Sequence, residues 1–139
     1  MKIIQVAGIS NSGKTTFINT LIPALKQRGT VAVVKHLGDH EFALEEGKDT
    51  TEFFDTGADI AVGIDSDKTV MAIHKKTLEY TLLILKKENI DFVIIEGFKK
   101  RSFPKIVIGD LDIENCILRN PTVEKVMESL TNFEDYYTE

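Results

Sequence analysis

The run Gly8-Ile9-Ser10-Asn11-Ser12-Gly13-Lys14-Thr15 has two glycines separated by four residues, then a lysine and a hydroxyl side chain. That spacing suits phosphate chemistry. The glycines permit a tight turn and close backbone approach, and the amides of Gly8, Ser10, Asn11, Ser12 and Gly13 can converge at the positive end of a following helix. Lys14 is then expected to reach the β- and γ-phosphates of a nucleotide, Thr15 to offer its hydroxyl to Mg²⁺, and Thr16 to lie beside the α-phosphate. A nucleotide–Mg²⁺ site also needs an acid at the carboxyl end of a neighbouring strand. The apolar segment 92–95 has carboxylates at both ends, Asp91 and Glu96, separated by roughly 16 Å of extended chain. Ligands of an open parallel sheet bind at the carboxyl edge, which selects Glu96 to hold a Mg²⁺-bound water or polarise the attacking one. Asp91 is expected to be an ordinary surface carboxylate.

Further polar residues gather near the same edge. Lys35-His36 closes a second apolar run, and the loop after it carries Asp39, His40, Glu41, Glu45, Glu46, Lys48 and Asp49. A lone loop histidine is more often solvated than catalytic, so residue type alone assigns His36 no role. Lys99-Lys100-Arg101 follows directly on Glu96-Gly97-Phe98. Three cations there suit a phosphate of a second ligand or an acidic partner, or simply a solvated loop.

Strands and helices must hold these groups. Residues 2–7 are almost continuously apolar and β-branched, as a strand buried on both faces should be. Residues 14–28 place Phe17, Ile18, Leu21, Ile22 and Leu25 at helical spacing, with Pro23 predicting a kink and Gly29 a left-handed stop. Strands are expected at 31–34, 60–64, 69–73, 92–95 and 105–108, the pair at 60–64 and 69–73 forming a hairpin around Asp65-Ser66-Asp67. Helices are expected at 49–56, at 77–87 behind a Thr77 cap, and near the end behind an Asn120 N-cap with Pro121 in the first turn. Only an irregular segment is expected between residue 108 and that last helix. The alternation predicts an α/β fold of the P-loop NTPase type: a mostly parallel sheet flanked by helices, with an antiparallel hairpin excursion, in a single nucleotide-binding domain.

Composition narrows the function classes. The 139 residues include 17 Lys+Arg against 22 Asp+Glu, a formal charge of −5, which argues against general binding of nucleic acid or acidic lipid. Any anion site must be local. The single cysteine, Cys116, cannot form an internal disulfide and is expected to be a small buried residue. No apolar run approaches the ~18 residues of a membrane span, and residues 1–7 are too short for a signal peptide, so a cytoplasmic protein with no membrane partner is expected.

Several motifs together resemble the molybdopterin-guanine dinucleotide biosynthesis protein B family. They are the phosphate loop, Leu21-Ile22-Pro23-Ala24-Leu25, Arg28-Gly29, Val34-Lys35-His36, Gly47-Lys48-Asp49-Thr50, Gly57-Ala58 and Ile95-Glu96-Gly97-Phe98-Lys99. The resemblance spans about residues 1–108 and implies a homodimeric GTP-binding protein with weak GTPase activity. Such a protein assists the molybdopterin guanylyltransferase that joins GMP to molybdopterin, and would handle molybdopterin or its guanine dinucleotide. It also implies functional positions for His36, Lys48, Asp49 and Lys99. The turn Leu37-Gly38-Asp39-His40-Glu41 departs from the family's histidine-rich pattern, and longer members carry a further strand and loop after residue 108. No Asn-Lys-x-Asp guanine-reading motif is present, so GTP over ATP rests on the resemblance.

Two other classes use the same loop. A small-molecule kinase would surround the transferred group with arginines, whereas the chain has only Arg28, Arg101 and Arg119. A nucleotide-gated metal carrier would need a third ligand beside His36 and His40.

Overall fold

The computed structural model describes residues 1–138. In chain order the elements are β1 (Lys2–Ala7), α1 (Lys14–Lys26), β2 (Val31–Lys35), α2 (Asp49–Thr56), β3 (Ile60–Ile64), β4 (Thr69–Ile73), α3 (Leu78–Lys87), β5 (Phe92–Glu96), β6 (Lys105–Val107), β7 (Cys116–Arg119) and α4 (Val123–Glu128). Two compact units result, one formed by Met1–His36 with the chain from Leu83 onward and the other by Leu37–Leu82; their boundary falls inside α3.

The first unit is built on a five-stranded sheet in the order β2-β5-β1-β6-β7, every pair parallel. The central strands β1, β5 and β6 are buried on both faces, whereas the edge strands β2 and β7 are partly exposed. Ile4, Val6, Ile94, Ile106 and Ile108 share one face and pack with Ile18, Leu21 and Leu25 of α1 and with Val126 and Phe133. Each such burial stabilises by roughly 1.5–3 kcal/mol, which is why these residue types commit the strands and the α1 stripe to one another. The parallel arrangement puts the carboxyl ends of β1, β2 and β5 at one edge, so the loops after Ala7, Lys35 and Glu96 meet there.

Four expectations are corrected within this unit. Gly29 does not end α1 in a left-handed turn, since Gln27 closes the helix in right-handed geometry. Glycine is required there by contact: a Cβ would stand 2.4 Å from the Asp91 carboxylate. The segment after residue 108 contains strand β7, bounded by left-handed Asn115 and Asn120. Asn120 does not cap the last helix; its backbone is left-handed and its Oδ1 accepts from Gly109 N–H at 2.7 Å. Thr122 caps α4 instead, accepting from Lys125 N–H. Cys116 is only half-buried, its thiol 3.6 Å from the Leu118 carbonyl oxygen.

The second unit contains α2 and the antiparallel ribbon of β3 and β4, paired with Val62 opposite Met71. Asp65 Oδ1 accepts from Asp67 and Lys68 N–H, both at 2.7 Å, which closes the ribbon as its turn residues predict. The Phe54 and His74 rings stack at 4.4 Å. Ala61, Gly63 and Ala72, with Val70, line one side of a crevice with Thr50 and Thr51 of α2. On the opposite ribbon face Ile60, Val62, Ile64 and Met71 are exposed.

Candidate functional site

The phosphate loop joins β1 to α1 as its sequence predicts. Gly13 occupies the N-cap of α1 with φ 97°, no side chain caps the helix, and no acid lies in its first turn. The first-turn N–H groups are therefore uncompensated by side chains, a state that favours an anion at the helix mouth. Gly8 must lack a side chain: a Cβ would stand 2.6 Å from the carbonyl oxygen of Ile108, the residue just after β6, so the chain leaving that strand presses directly on the loop. Asn11 is left-handed, with φ 60°, and turns the loop over. Ser12 Oγ is buried and has no hydrogen-bond partner, an orphaned polar group of the kind a polar ligand satisfies.

Lys14 folds back over the loop and donates to the carbonyl oxygens of Gly8 (2.9 Å) and Ile9 (2.8 Å). Burial holds its ammonium below the ordinary lysine range; the Glu96 carboxylate opposes that shift, and the neighbouring Lys99 and Lys35 cations add to it. Lys14 thus shares the sheet edge with one acid and two further lysines. Thr15 and Thr16 are exposed in the first turn of α1, their hydroxyl types intact for a metal and a phosphate. Gly8, Ser10, Asn11, Ser12, Gly13, Lys14, Thr15 and Thr16 therefore form one continuous structure, whose donor set fits a polyphosphate.

Glu96 ends β5 and lies opposite Lys35 in the register of β2. The Lys35 Nζ is 3.8 Å from Glu96 Oε1, and the Glu96 side chain is only 13% exposed. Period-two alternation puts Glu96 on the α1 face with Ile94, the face on which the phosphate loop opens. Asp91, at the other end of β5, accepts from Thr30 N–H (2.8 Å) and Thr30 Oγ1 (3.1 Å). It ties the start of β2 to β5, as its distance from the loop implies, and is not an idle surface group.

His36 follows Lys35, its N–H donating to the Glu96 carbonyl oxygen at 2.9 Å. Its ring lies 4.6 Å from that of Phe98. Gly97 makes the approach possible: its φ is 89°, and a Cβ would stand 2.9 Å from the His36 Cβ. Phe98 is itself left-handed, with φ 52°, so the Glu96-Gly97-Phe98-Lys99 turn is conformationally unusual. His36, Glu96 and Lys99 are thus brought to the phosphate-loop edge of the first unit. Lys48 and Asp49 belong to the second unit, at the N-cap and first position of α2, with Lys48 Nζ 3.6 Å from Glu45 Oε1.

Sequence reasoning gave no role of their own to Lys35, which faces Glu96, or to Gln5 and Lys105, which are fully buried in strands. A polar residue inside an otherwise apolar strand was the available signal for Gln5. Among the described residues no helix is long and apolar enough to cross a membrane.

A family profile described as Molybdopterin guanine dinucleotide synthesis protein B matches residues 3–128. The chain is 38% identical over 112 residues to a Methanocaldococcus jannaschii protein provisionally given an adapter name in molybdopterin-guanine dinucleotide biosynthesis, covering 78% of this chain and 47% of that one. It is 32% identical over 110 residues to the molybdopterin-guanine dinucleotide biosynthesis adapter protein of Haemophilus influenzae, covering 76% and 62%. The chain thus spans about half to under two-thirds of the length of these relatives. The crystal structure of Bacillus subtilis MobB superposes with a TM-score of 0.69 at 27% identity, covering 86% of this chain and 77% of that one. A further solved molybdopterin-guanine biosynthesis protein B gives 0.64 at 25% identity, covering 94% and 98%.

Proposed function

The chain belongs to the molybdopterin guanine dinucleotide synthesis protein B family, and on that premise we propose that it is a GTP-binding adapter in the formation of molybdopterin-guanine dinucleotide. The observation that carries the nucleotide reading is the uncapped mouth of α1, with Gly13 at its N-cap and Lys14 folded over the loop carbonyls. On triphosphate binding Lys14 exchanges those carbonyls for the β- and γ-phosphates, and the first-turn amides take the remaining oxygens.

Thr15 and Glu96 are the groups suited to Mg²⁺, Thr15 directly and Glu96 through a water. Bound there, the ion would supply positive charge against the developing negative charge of the triphosphate. Lys35 then gains a phosphate to face in place of Glu96. Such an arrangement supports hydrolysis at a low rate: it grips a triphosphate and has one acid to orient water, and Arg101 is the single arginine near the site in sequence. That scarcity is what disfavours the kinase alternative, in which the γ-phosphoryl group goes to a small molecule.

The adapter role assigns the transfer itself to a molybdopterin guanylyltransferase, with molybdopterin or its guanine dinucleotide as the second ligand. By their motif positions His36, Lys48, Asp49 and Lys99 are assigned to ligand binding. A homodimer is the oligomeric state that fits, because the ribbon of β3 and β4 exposes Ile60, Val62, Ile64 and Met71. A two-stranded ribbon is marginal unless such a face is covered.

The test is reconstitution. Adding the chain to molybdopterin, GTP and the guanylyltransferase should raise the yield of dinucleotide. An unchanged yield, with label from γ-³²P nucleotide appearing on a metabolite, would replace the adapter reading with the kinase one.

A further inference from the structure

Lys105 is 1% exposed and Gln5 is fully buried, and among the described residues neither forms an ion pair, the Glu114 carboxylate acting on the Lys105 ammonium only from a distance. Buried lysines are rare because an ammonium leaves water at large cost unless every proton finds an acceptor. Here the acceptors are main-chain carbonyls. Lys105 Nζ donates to the carbonyl oxygens of Arg101 and Phe103, the latter at 3.0 Å. Gln5 Nε2 donates to those of Gly97 (2.6 Å) and Phe98 (2.9 Å).

The two side chains are neighbours. Gln5 of β1 pairs in register with Lys105 of β6, so both stand on one sheet face, a strand spacing of about 4.8 Å apart. That face is the one opposite α1, since the alternate residues Ile4, Val6 and Ile106 pack on the helix. All four acceptors lie in the connection from β5 to β6, which crosses β1 in only eight residues, 97–104. Parallel strands are ordinarily joined by a dozen residues or more, usually including a helix that satisfies its own carbonyls. This crossover has no helix, and two buried side chains supply the donors instead.

What the crossover carries is chemically pointed. It begins at Glu96, holds Phe98 against His36, and contains Lys99, close enough to Lys14 to press on its charge. We propose that Gln5 and Lys105 are positioning residues that pin the 97–103 segment by its carbonyls, so that Lys99, three residues beyond Glu96, is held at the phosphate-loop edge and meets the terminal phosphate of a bound nucleoside triphosphate. This rests on the nucleotide reading above. Gln5 and Lys105 act through the backbone of the crossover and touch no ligand. The left-handed Gly97 and Phe98 are held by their own carbonyls, which Gln5 grips, so the strained turn and the placement of Lys99 have one cause.

A structural role and a positioning role separate on the terminal phosphate. Calorimetric titration with GTP and with GDP, both with Mg²⁺, is made on the wild type and on Lys99→Ala, Gln5→Met and Lys105→Met, with thermal unfolding of each. Loss of a charge-assisted phosphate contact is expected to weaken GTP about tenfold or more while GDP changes much less. Lys99→Ala should show that selective loss, Gln5→Met and Lys105→Met should reproduce it, and adding Lys99→Ala to Lys105→Met should cost little more. Lys105→Arg, which keeps cationic donors, should recover part of the ratio.

A wild-type ratio of GTP to GDP affinity in the Met variants overturns the inference, as does equal weakening of both nucleotides. Should Lys105→Met fail to fold, Gln5→Met decides, because it removes the amide that holds Gly97 and Phe98 while keeping nearly the same side-chain length and bulk inside β1. A wild-type protein that binds neither nucleotide removes the nucleotide reading itself, an outcome distinct from an unchanged ratio.

Discussion

Lys14 donates to two carbonyls of its own loop, so a triphosphate must outcompete a satisfied, partly desolvated ammonium. The competition is favourable because phosphate oxygens carry full charge and a carbonyl does not. Lys14→Ala is therefore expected to weaken GTP at least about tenfold, the value of one charged hydrogen bond, with no loss of fold since Lys14 packs no core. Unchanged affinity by calorimetry would remove the loop from the site. Glu96→Gln should act differently: it keeps the shape and an acceptor at the end of β5 but loses the charge that orders a metal-bound water. Hydrolysis should fall about 10- to 100-fold with nucleotide affinity changed far less. Equal rates for the two proteins would exclude Glu96 from the chemistry. The phosphate-loop residues and Glu96 were legible in the sequence because both sit where a strand ends, and a strand end has one address in a parallel sheet. Gln5 and Lys105 were not, because what they satisfy is the backbone of a crossover whose path no local pattern records.

At the scale of elements, the first unit is tied at the edge opposite the site by Asp91. Its carboxylate accepts from Thr30, and the hydrogen bonds from the Thr30 backbone and hydroxyl hold it below the usual carboxylate range. The sign of its pH dependence follows. A depressed folded-state value contributes stability that is complete above the unfolded value of about 3.9 and is lost as pH falls through the lower folded one. Asp91→Asn should thus lower the urea midpoint at neutral pH, and the difference between the two proteins should shrink as the pH falls below the ordinary carboxylate range. A constant difference between the two proteins across that range would contradict it. Element boundaries also show how far local pattern reaches. The ribbon of β3 and β4 and helix α2 match their predicted limits, since their turn residues are unambiguous. Strand β7 was missed because Cys116-Ile117-Leu118 is short and flanked by polar residues, and only pairing with β6 makes it a strand. Asn120 was misassigned because a good capping residue is also a good left-handed one; its side chain is spent on Gly109.

For the whole molecule, the exposed apolar ribbon face is the feature most at odds with a lone chain in water. If a second copy covers it, Val62→Asp should move the protein from dimer to monomer in sedimentation, with an association constant lowered tenfold or more at about 1.4 kcal/mol per decade. A monomeric wild type, or a variant that sediments unchanged, would place any dimer contact elsewhere.

The amino-acid order by itself determined the alternation of strands and helices, the phosphate loop and the acid at the end of β5, because periodicity, glycine spacing and strand polarity act over a few residues. Only tertiary structure decided that Lys35 faces Glu96, that β7 joins the sheet, and that Gln5 and Lys105 hold the crossover. Those outcomes depend on register between strands far apart in the chain, and register is settled by how whole faces pack.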